Sequence, residues 1–266
     1  MIYVCIPARD EADTVGLLLW RIRRAFEDLG REYHALVGDD GSRDHTAEVL
    51  DLYAKVSPLT VQSGRKPKGY AATLESLLRQ AVELSDRPKR DATIVMHGDF
   101  SHSPEFLADF VRKLDSGADL VVGEGEIPRD EGRAYRWTRL WSAFLFRRSL
   151  GLAEVTDPTS GFVGVRLAVL KALFDKHPKL LLSDGWAANA ELVGRASAYA
   201  RRIETVSFVE KHQLKSRPSR VACWATARAL WRASGIVHRA VGSERAAVRP
   251  AESAPSRARP PRRPRP

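Results

Sequence analysis

Cysteine is nearly absent: Cys5 and Cys223 are the only two in 266 residues, and both sit among apolar neighbours in sequence. A disulfide framework is thereby excluded as a source of stability, and a reducing, cytoplasmic setting is the expectation. No apolar run is long enough to cross a bilayer. Met1 leads straight into the strand-like Ile2-Tyr3-Val4-Cys5-Ile6, so no signal peptide is expected. A nucleic-acid module with interleaved aromatic and basic residues is also missing, which argues against DNA or RNA as a partner. What is present, 44% hydrophobic and 29% charged residues, is the balance of a globular chain long enough to bury one full core.

Acidic residues are scarcest toward the C-terminal end. From 245 to 266 seven arginines face one glutamate, so this stretch carries +6 of the formal +10. With six prolines and almost no large apolar residue, it is expected to be disordered. It serves either as a solubilising extension or as an attraction to an anionic membrane surface.

The remainder alternates short apolar runs with helical periodicity, the pattern of a doubly wound α/β sheet. A buried strand at 2–6 is followed by the loop Pro7-Ala8-Arg9-Asp10-Glu11-Ala12-Asp13 and a helix stopped at Gly30. The next apolar run, through Val37, must turn over at Asp39-Asp40-Gly41-Ser42-Arg43-Asp44-His45-Thr46 into a helix, which Ser42 or Asp44 can cap. Two adjacent carboxylates at the carboxyl end of a strand lie where open α/β sheets place ligands. Asp39 and Asp40 are therefore candidates for holding a sugar, a ribose or a metal. A third strand at 59–62 leads through the basic loop Ser63-Gly64-Arg65-Lys66-Pro67-Lys68-Gly69-Tyr70 into a helix at 71–84. Lys68 and backbone N–H groups at that helix start suit a phosphate, with a solvated basic loop as the alternative.

The fourth strand, 93–96, ends in His97-Gly98-Asp99-Phe100-Ser101-His102-Ser103-Pro104-Glu105. This crowds Asp99, His97 and His102 at the same end of the sheet as Asp40, and a carboxylate with imidazole can hold a divalent cation. A fifth strand follows at 118–123. The helix at 133–148 is rich in aromatics and arginine, and Asp157-Pro158-Thr159-Ser160-Gly161-Phe162 forms a turn. Helices at 167–174 and 187–198, the second carrying Glu191, precede a strand at 202–209. In the last helix, 218–241, Cys223, Ala227, Leu230 and Val237 fall on one side, and Arg228, Arg232 and Arg239 on another. Trp224 and Trp231 lie between them, a pattern suited to a membrane surface or to packing on the domain's own core.

Taken in order, these motifs resemble those of the family 2 glycosyltransferases of GT-A fold, and within them the polyprenyl (dolichyl) phosphate mannosyltransferase type. The resemblance runs from residue 1 to about 220 and ends in a fifth motif, Lys211 to Arg217. It implies a doubly wound, mostly parallel sheet with helices on both faces at 1–217, then an amphipathic helix at 218–242 and the disordered tail at 243–266. Pro7, Arg9 and Glu11 would line the nucleoside pocket, with Asp40 hydrogen-bonding the nucleoside and Asp39 and Gly98 beside it. Lys211 and Arg217 would contact the donor phosphates, a role for which the basic loop separately offers Lys68. Asp99 would be the second carboxylate of the metal-binding Asp-x-Asp, coordinating Mg²⁺ or Mn²⁺.

Several positions depart from that pattern. His97 replaces the first Asp, which turns the preference toward Mn²⁺ because imidazole is the softer ligand. Arg9 stands for Tyr, and Lys211 and Arg217 exchange the family's Arg and Lys. Gly123-Glu124-Gly125-Glu126 occupies the place of an expected arginine, for which Arg129, Arg133, Arg136 and Arg139 are alternatives.

The activity implied is transfer of a mannose- or glucose-type hexose from a nucleoside diphosphate sugar to a polyprenyl phosphate, with inversion, by a protein peripheral to the inner face of the plasma membrane. A hydroxyl acceptor would need a general base, for which Asp157, Glu191 or Asp184 are the candidates. The rival expectations are a transferase with a soluble acceptor and a degenerate, non-catalytic binder of nucleotide sugar.

Overall fold

The computed structural model describes residues 1–64, 66–126, 132–152, 154–209 and 223–252. The first half winds as β1 (Ile2–Ala8), α1 (Ala12–Leu29), β2 (Tyr33–Asp39), α2 (Thr46–Ala54), β3 (Leu59–Ser63), α3 (Tyr70–Leu84) and β4 (Ala92–Val95). A 3-10 turn at Pro104–Phe106 runs into α4 (Leu107–Asp115). Then come β5 (Leu120–Glu126), α5 (Arg133–Leu150), β6 (Val163–Arg166), α6 (Leu167–Phe174), α7 (Trp186–Ser197), β7 (Ile203–Val209) and α8 (Cys223–Glu252).

The strands form a seven-stranded sheet in the order β3-β2-β1-β4-β6-β5-β7, in which β6 alone runs antiparallel to its neighbours. The mostly parallel, doubly wound sheet is as the sequence implies. β6 is the addition, a four-residue strand between a turn and a helix that periodicity did not reveal.

Side chains alternate across a strand, and β1 divides its residues accordingly. Ile2, Val4, Ile6 and Ala8 join the layer made with α1 and α4, while Tyr3 and Cys5 join the layer made with α3, α6 and α7. With apolar layers on both faces, β2, β1 and β4 are internal strands and β3 is the edge strand beside β2; the acidic loops emerge at their carboxyl ends. The register sets Ala8 beside Asp39 and Asp39 beside Ser63. The loops that follow β1, β2 and β3 therefore emerge side by side.

A third apolar cluster lies apart from the sheet. Phe146 and Leu150 of α5, Ala187 and Ala190 of α7, and Leu230, Val237 and Val241 of α8 pack together. Gly194 permits the close approach, since a Cβ there would lie 2.5 Å from both Leu150 and Val241 side chains. The apolar face of the last helix is thus spent on the protein's own core, one of the two uses its pattern allows. α8 also continues to Glu252, past position 242 where the sequence reading ends the amphipathic helix; 253–266 lie outside the described residues.

Candidate active site

At the polar edge, short carboxylates fasten the loops to each other. Asp39 accepts the N–H and hydroxyl of Ser42 on its own turn. Asp40 reaches across to the next loop and accepts the N–H groups of Lys68 (2.6 Å) and Gly69 (3.1 Å). Asp10 Oδ1 takes the N–H of Arg43 at 2.7 Å, and Asp44 takes that of Ala12 at 3.1 Å. Thr46 Oγ1 accepts the Glu11 N–H, and Thr14 Oγ1 donates to Gly98 O. The loop after β1 is thereby stitched both to the acidic turn after β2 and to the loop after β4. Gly98 sits directly over that join, with a hypothetical Cβ 3.3 Å from Ala8 and 3.4 Å from Glu11. The crevice between β1 and β4, where strand order reverses, is the switch point at which such sheets bind ligands.

Two expectations are corrected here. The backbone N–H groups at the start of α3, assigned to a phosphate by the sequence, go to carboxylates instead. Lys68 and Gly69 donate to Asp40, and Ala71 donates to Asp184 Oδ1 at 2.8 Å. An N-terminus already holding two carboxylates has little positive potential left for a phosphate. The Lys68 side chain is exposed beside it. Asp184, one of the candidate bases, is in this structure a cap on α3, supplied from the far side of the chain.

His97 and Asp99 lie on one tight loop. Asp99 Oδ1 accepts the N–H and hydroxyl of Ser101. The His97 ring stacks on His102 at 4.4 Å and meets Tyr70 edge-on at 5.8 Å, with its Nε2 3.4 Å from the Tyr70 hydroxyl. His102 has another task. Its Nδ1 accepts the His97 N–H and its Nε2 donates to Ser160 O, a pattern that only the neutral Nε2–H tautomer satisfies. Both ring nitrogens are used, so His102 is a buried brace rather than a metal ligand.

The turn Asp157-Pro158-Thr159-Ser160-Gly161 closes the crevice from the other side. Asp157 makes a two-pronged ion pair with Arg139 of α5, at 3.0 and 2.8 Å, and accepts the Thr159 N–H and hydroxyl. Arg139, one of the alternatives for the missing family arginine, is therefore buried against this turn and also faces the Trp186 ring at 5.4 Å. Gly161 has φ +80, and a Cβ there would lie 2.6 Å from both His97 Nε2 and Asn189 Nδ2. Asn189 links the walls: its Oδ1 accepts from Tyr70, and its Nδ2 donates to Thr159 O. Burial pushes the Tyr70 hydroxyl well up, so it stays a donor. Tyr70 and Asn189 were not singled out from the sequence. The available signal was a lone amide among the alanines of 187–190.

Glu191 is 0% exposed. Its Oε1 pairs with Arg195, and its Oε2 accepts the N–H groups of Leu182 and Ser183, both at 2.9 Å. Glu75 of α3 takes the N–H groups of Leu180 and Leu181. The strap from Leu180 to Gly185 thus hangs from carboxylates on both sides. Arg195 continues to Glu244 of α8, which also accepts from Tyr199.

Pro7 lies in β1, and Arg9 is exposed just beyond its end, with Glu11 at the start of α1. The structure thus brings Pro7, Arg9, Glu11, Asp39, Asp40, Gly98, Asp99 and His97 to one edge. Lys211, Arg217 and Arg129 lie outside the described residues.

Comparison with known proteins agrees with this geometry. The family model described as "Glycosyl transferase family 2" matches residues 3–176. The polyprenol monophosphomannose synthase of Mycolicibacterium smegmatis is 27% identical over 248 residues, covering 88% of this chain and 90% of that protein. The undecaprenyl-phosphate 4-deoxy-4-formamido-L-arabinose transferase of Pseudomonas aeruginosa is 28% identical, over 58% of this chain and 43% of its own length. Among solved structures, glucosyl-3-phosphoglycerate synthase from Mycobacterium tuberculosis, in complex with Mn²⁺, UDP and glucosyl-3-phosphoglycerate, superposes with a TM-score of 0.61 at 19% identity, covering 88% of this chain and 80% of that one. TarS of S. aureus superposes at 0.55 and 19% identity, over 77% and 57% of the two chains. A glycosyltransferase of GT-A fold, close to the polyprenyl phosphate sugar transferases, this chain belongs to glycosyl transferase family 2.

Proposed function

We propose that the protein transfers a hexose of mannose or glucose type from a nucleoside diphosphate sugar to a polyprenyl phosphate at the cytoplasmic face of a membrane, with inversion. The observation that carries the acceptor is the state of the three candidate bases. Asp157 is paired with Arg139, Glu191 with Arg195, and Asp184 caps α3. Each carboxylate is committed to holding the crevice. An acceptor that arrives as a phosphate is already an ionised nucleophile and needs no proton removed, so direct in-line displacement requires only positioning. Asp157 and Glu191 then act as positioning residues, Asp157 on the turn at Ser160 and Gly161 and Glu191 on the 180–185 strap.

Pro7, Arg9, Glu11, Asp39, Asp40 and Gly98 would form the nucleoside side of the crevice, and Lys68, Lys211 and Arg217 would face the diphosphate. One carboxylate and one imidazole on a single loop fit a divalent cation whose shell is completed by substrate oxygens. Among the described residues no cluster of three or more His, Cys, Asp or Glu would hold one without substrate. Asp99 and His97 would be its ligands, and Mn²⁺ suits the imidazole better than Mg²⁺. Such a cation supplies compensation for the charge that gathers on the leaving diphosphate.

The test is transfer by the purified protein from a panel of UDP- and GDP-hexoses with Mn²⁺ or Mg²⁺, with and without polyprenyl phosphate. The expected result is transfer to the lipid that falls at least about 10²-fold in Asp99→Ala. Metal-dependent donor hydrolysis without lipid transfer would discard the lipid acceptor. Nucleotide binding with no turnover of any donor would replace the enzyme with a binding protein.

A further inference from the structure

A carboxylate offers a cation either of two equivalent oxygens, but a neutral imidazole offers one nitrogen, the one without the proton. A histidine in the place of the first Asp of an Asp-x-Asp can therefore serve a cation only if the correct nitrogen keeps its lone pair. The surroundings of the His97 ring make that choice.

Donors and acceptors run in one direction from the 157–161 turn to this ring. Thr159 O can only accept, so the Asn189 group that faces it, at 3.2 Å, is Nδ2. The amide oxygen is thereby turned to Tyr70, whose hydroxyl must donate to it at 2.7 Å. Burial raises the Tyr70 pKa, so the phenol keeps its proton. With that hydrogen spent on Asn189, the Tyr70 oxygen has only lone pairs to show His97 Nε2, which stands 3.4 Å away. Such a contact attracts an Nε2–H and repels an Nε2 lone pair. A neutral His97 is thus held as the Nε2–H tautomer, with its lone pair on Nδ1.

Packing fixes the ring's orientation. It stacks on His102 with centroids 4.4 Å apart and planes 27° from parallel, and it meets Tyr70 edge-on. Gly161 gives Nε2 its room, because any Cβ there would stand 2.6 Å from it. On the other side Nδ1 is 3.4 Å from Ser101 Oγ, and that same hydroxyl donates to Asp99 Oδ1 at 2.6 Å. The lone pair therefore lies on the Asp99 side of the ring.

We infer that Tyr70 and Asn189 are positioning residues for the cation: they hold His97 in the tautomer whose Nδ1, beside Asp99, ligates Mn²⁺. The inference rests on the reading of His97 and Asp99 as cation ligands and adds what such a histidine needs on its other nitrogen. A metal-binding imidazole ordinarily gives its second N–H to a carboxylate, a carbonyl or water. Here a phenol oxygen takes it. Tyr70 belongs to α3 and Asn189 to α7, so the ring is set only when both walls of the crevice are in place.

Two measurements on the full chain test this. At pH about 8, where an ordinary imidazole is neutral, ring ¹⁵N shifts without metal should show His97 as a single Nε2–H tautomer, assigned by its loss in His97→Ala. Tyr70→Phe should turn that signal into a mixture of tautomers. Mn²⁺ affinity, read from the EPR signal of the free ion with GDP or UDP present, should fall about 10- to 100-fold in Tyr70→Phe. In a His97→Asp background there is no tautomer to choose, and the same change should alter Mn²⁺ affinity less than about twofold. Equal losses in both backgrounds would make Tyr70 a support of the fold alone and overturn the proposal. So would an Nδ1–H tautomer in the wild type, a result that needs no variant to fold. Unchanged affinity in Tyr70→Phe, with binding lost in His97→Ala, would overturn the positioning role and keep His97 as a ligand. Wild-type affinity in His97→Ala, or no Mn²⁺ binding by the wild type, would discard the cation reading of His97 and the positioning role with it.

Discussion

The loops after β1 to β4 face the 157–161 turn held by α5 and α7, with α8 packed behind those helices, and the two sides are held by different chemistry. In the loops, Asp39, Asp40 and Asp44 accept from backbone N–H and hydroxyl groups, on their own turn at Asp39 and Asp44 and on neighbouring loops at Asp40 and Asp44. In the helical layer Asp157, Glu191 and Glu244 each meet an arginine, and all three are buried. Neutral donors fix a carboxylate without cancelling its charge, which leaves the edge negative. Paired guanidinium groups cancel it, which suits a wall that excludes water and holds its shape. The cost of losing a partner should therefore differ between the two regions, because stranding a buried ion is worse than losing one hydrogen bond.

Arg195→Ala should be the most damaging substitution. It leaves Glu191 and Glu244 buried without their shared cation and is expected to lower unfolding stability by about 3–5 kcal/mol in urea titration. Asp40→Asn sharpens the contrast from the loop side. One of the N–H groups of Lys68 and Gly69 would then face an amide N–H₂, for a loss of about 1–3 kcal/mol. Equal losses in the two variants, measured side by side, would erase the distinction. The smallest effect is expected at the bridge between the regions. Tyr70→Phe removes the bond to Asn189 and should cost about 1 kcal/mol at neutral pH. Burial raises the Tyr70 pKa in the folded state above its ordinary value of 10.0. The stability it contributes is therefore complete below pH about 10 and lost as pH rises beyond it. The variant should show a shallower alkaline decline than the wild type, readable in melts across that range.

Much of the loop side was legible in the sequence, because its candidate site residues also build its local structure. A strand, a carboxylate pair and the start of a helix within the fourteen residues 33–46 specify both the turn at Asp39 and its place at the sheet's edge. What could not be read was which donor each carboxylate takes. The N–H groups given to Asp40 lie 28 and 29 residues away, so an apparent phosphate loop turned out to be a fastening. The helical side was legible only as periodicity. An amphipathic pattern gives α8 an apolar face without naming what covers it, and the answer lies on α5 and α7. β6 runs without a break between the turn at 157–162 and α6, and only its pairing between β4 and β5 defines it. The Arg139–Asp157 pair spans 18 residues and joins a helix to a turn, which no single-segment pattern encodes.

The cap on α3 has a consequence in time rather than in space. Asp184 binds the Ala71 N–H across 113 residues of sequence, and α3 has no side-chain cap at its own N-cap residue, Gly69. Its first turn cannot reach final protection until the chain has been made through 185 and folded back, a long loop to close before the bond repays it. A nascent chain ending before the strap should therefore carry a sheet whose neighbouring helix is frayed at its start. Amide exchange at Ala71 would report the last step of assembly, when the strap arrives and the crevice acquires its second wall.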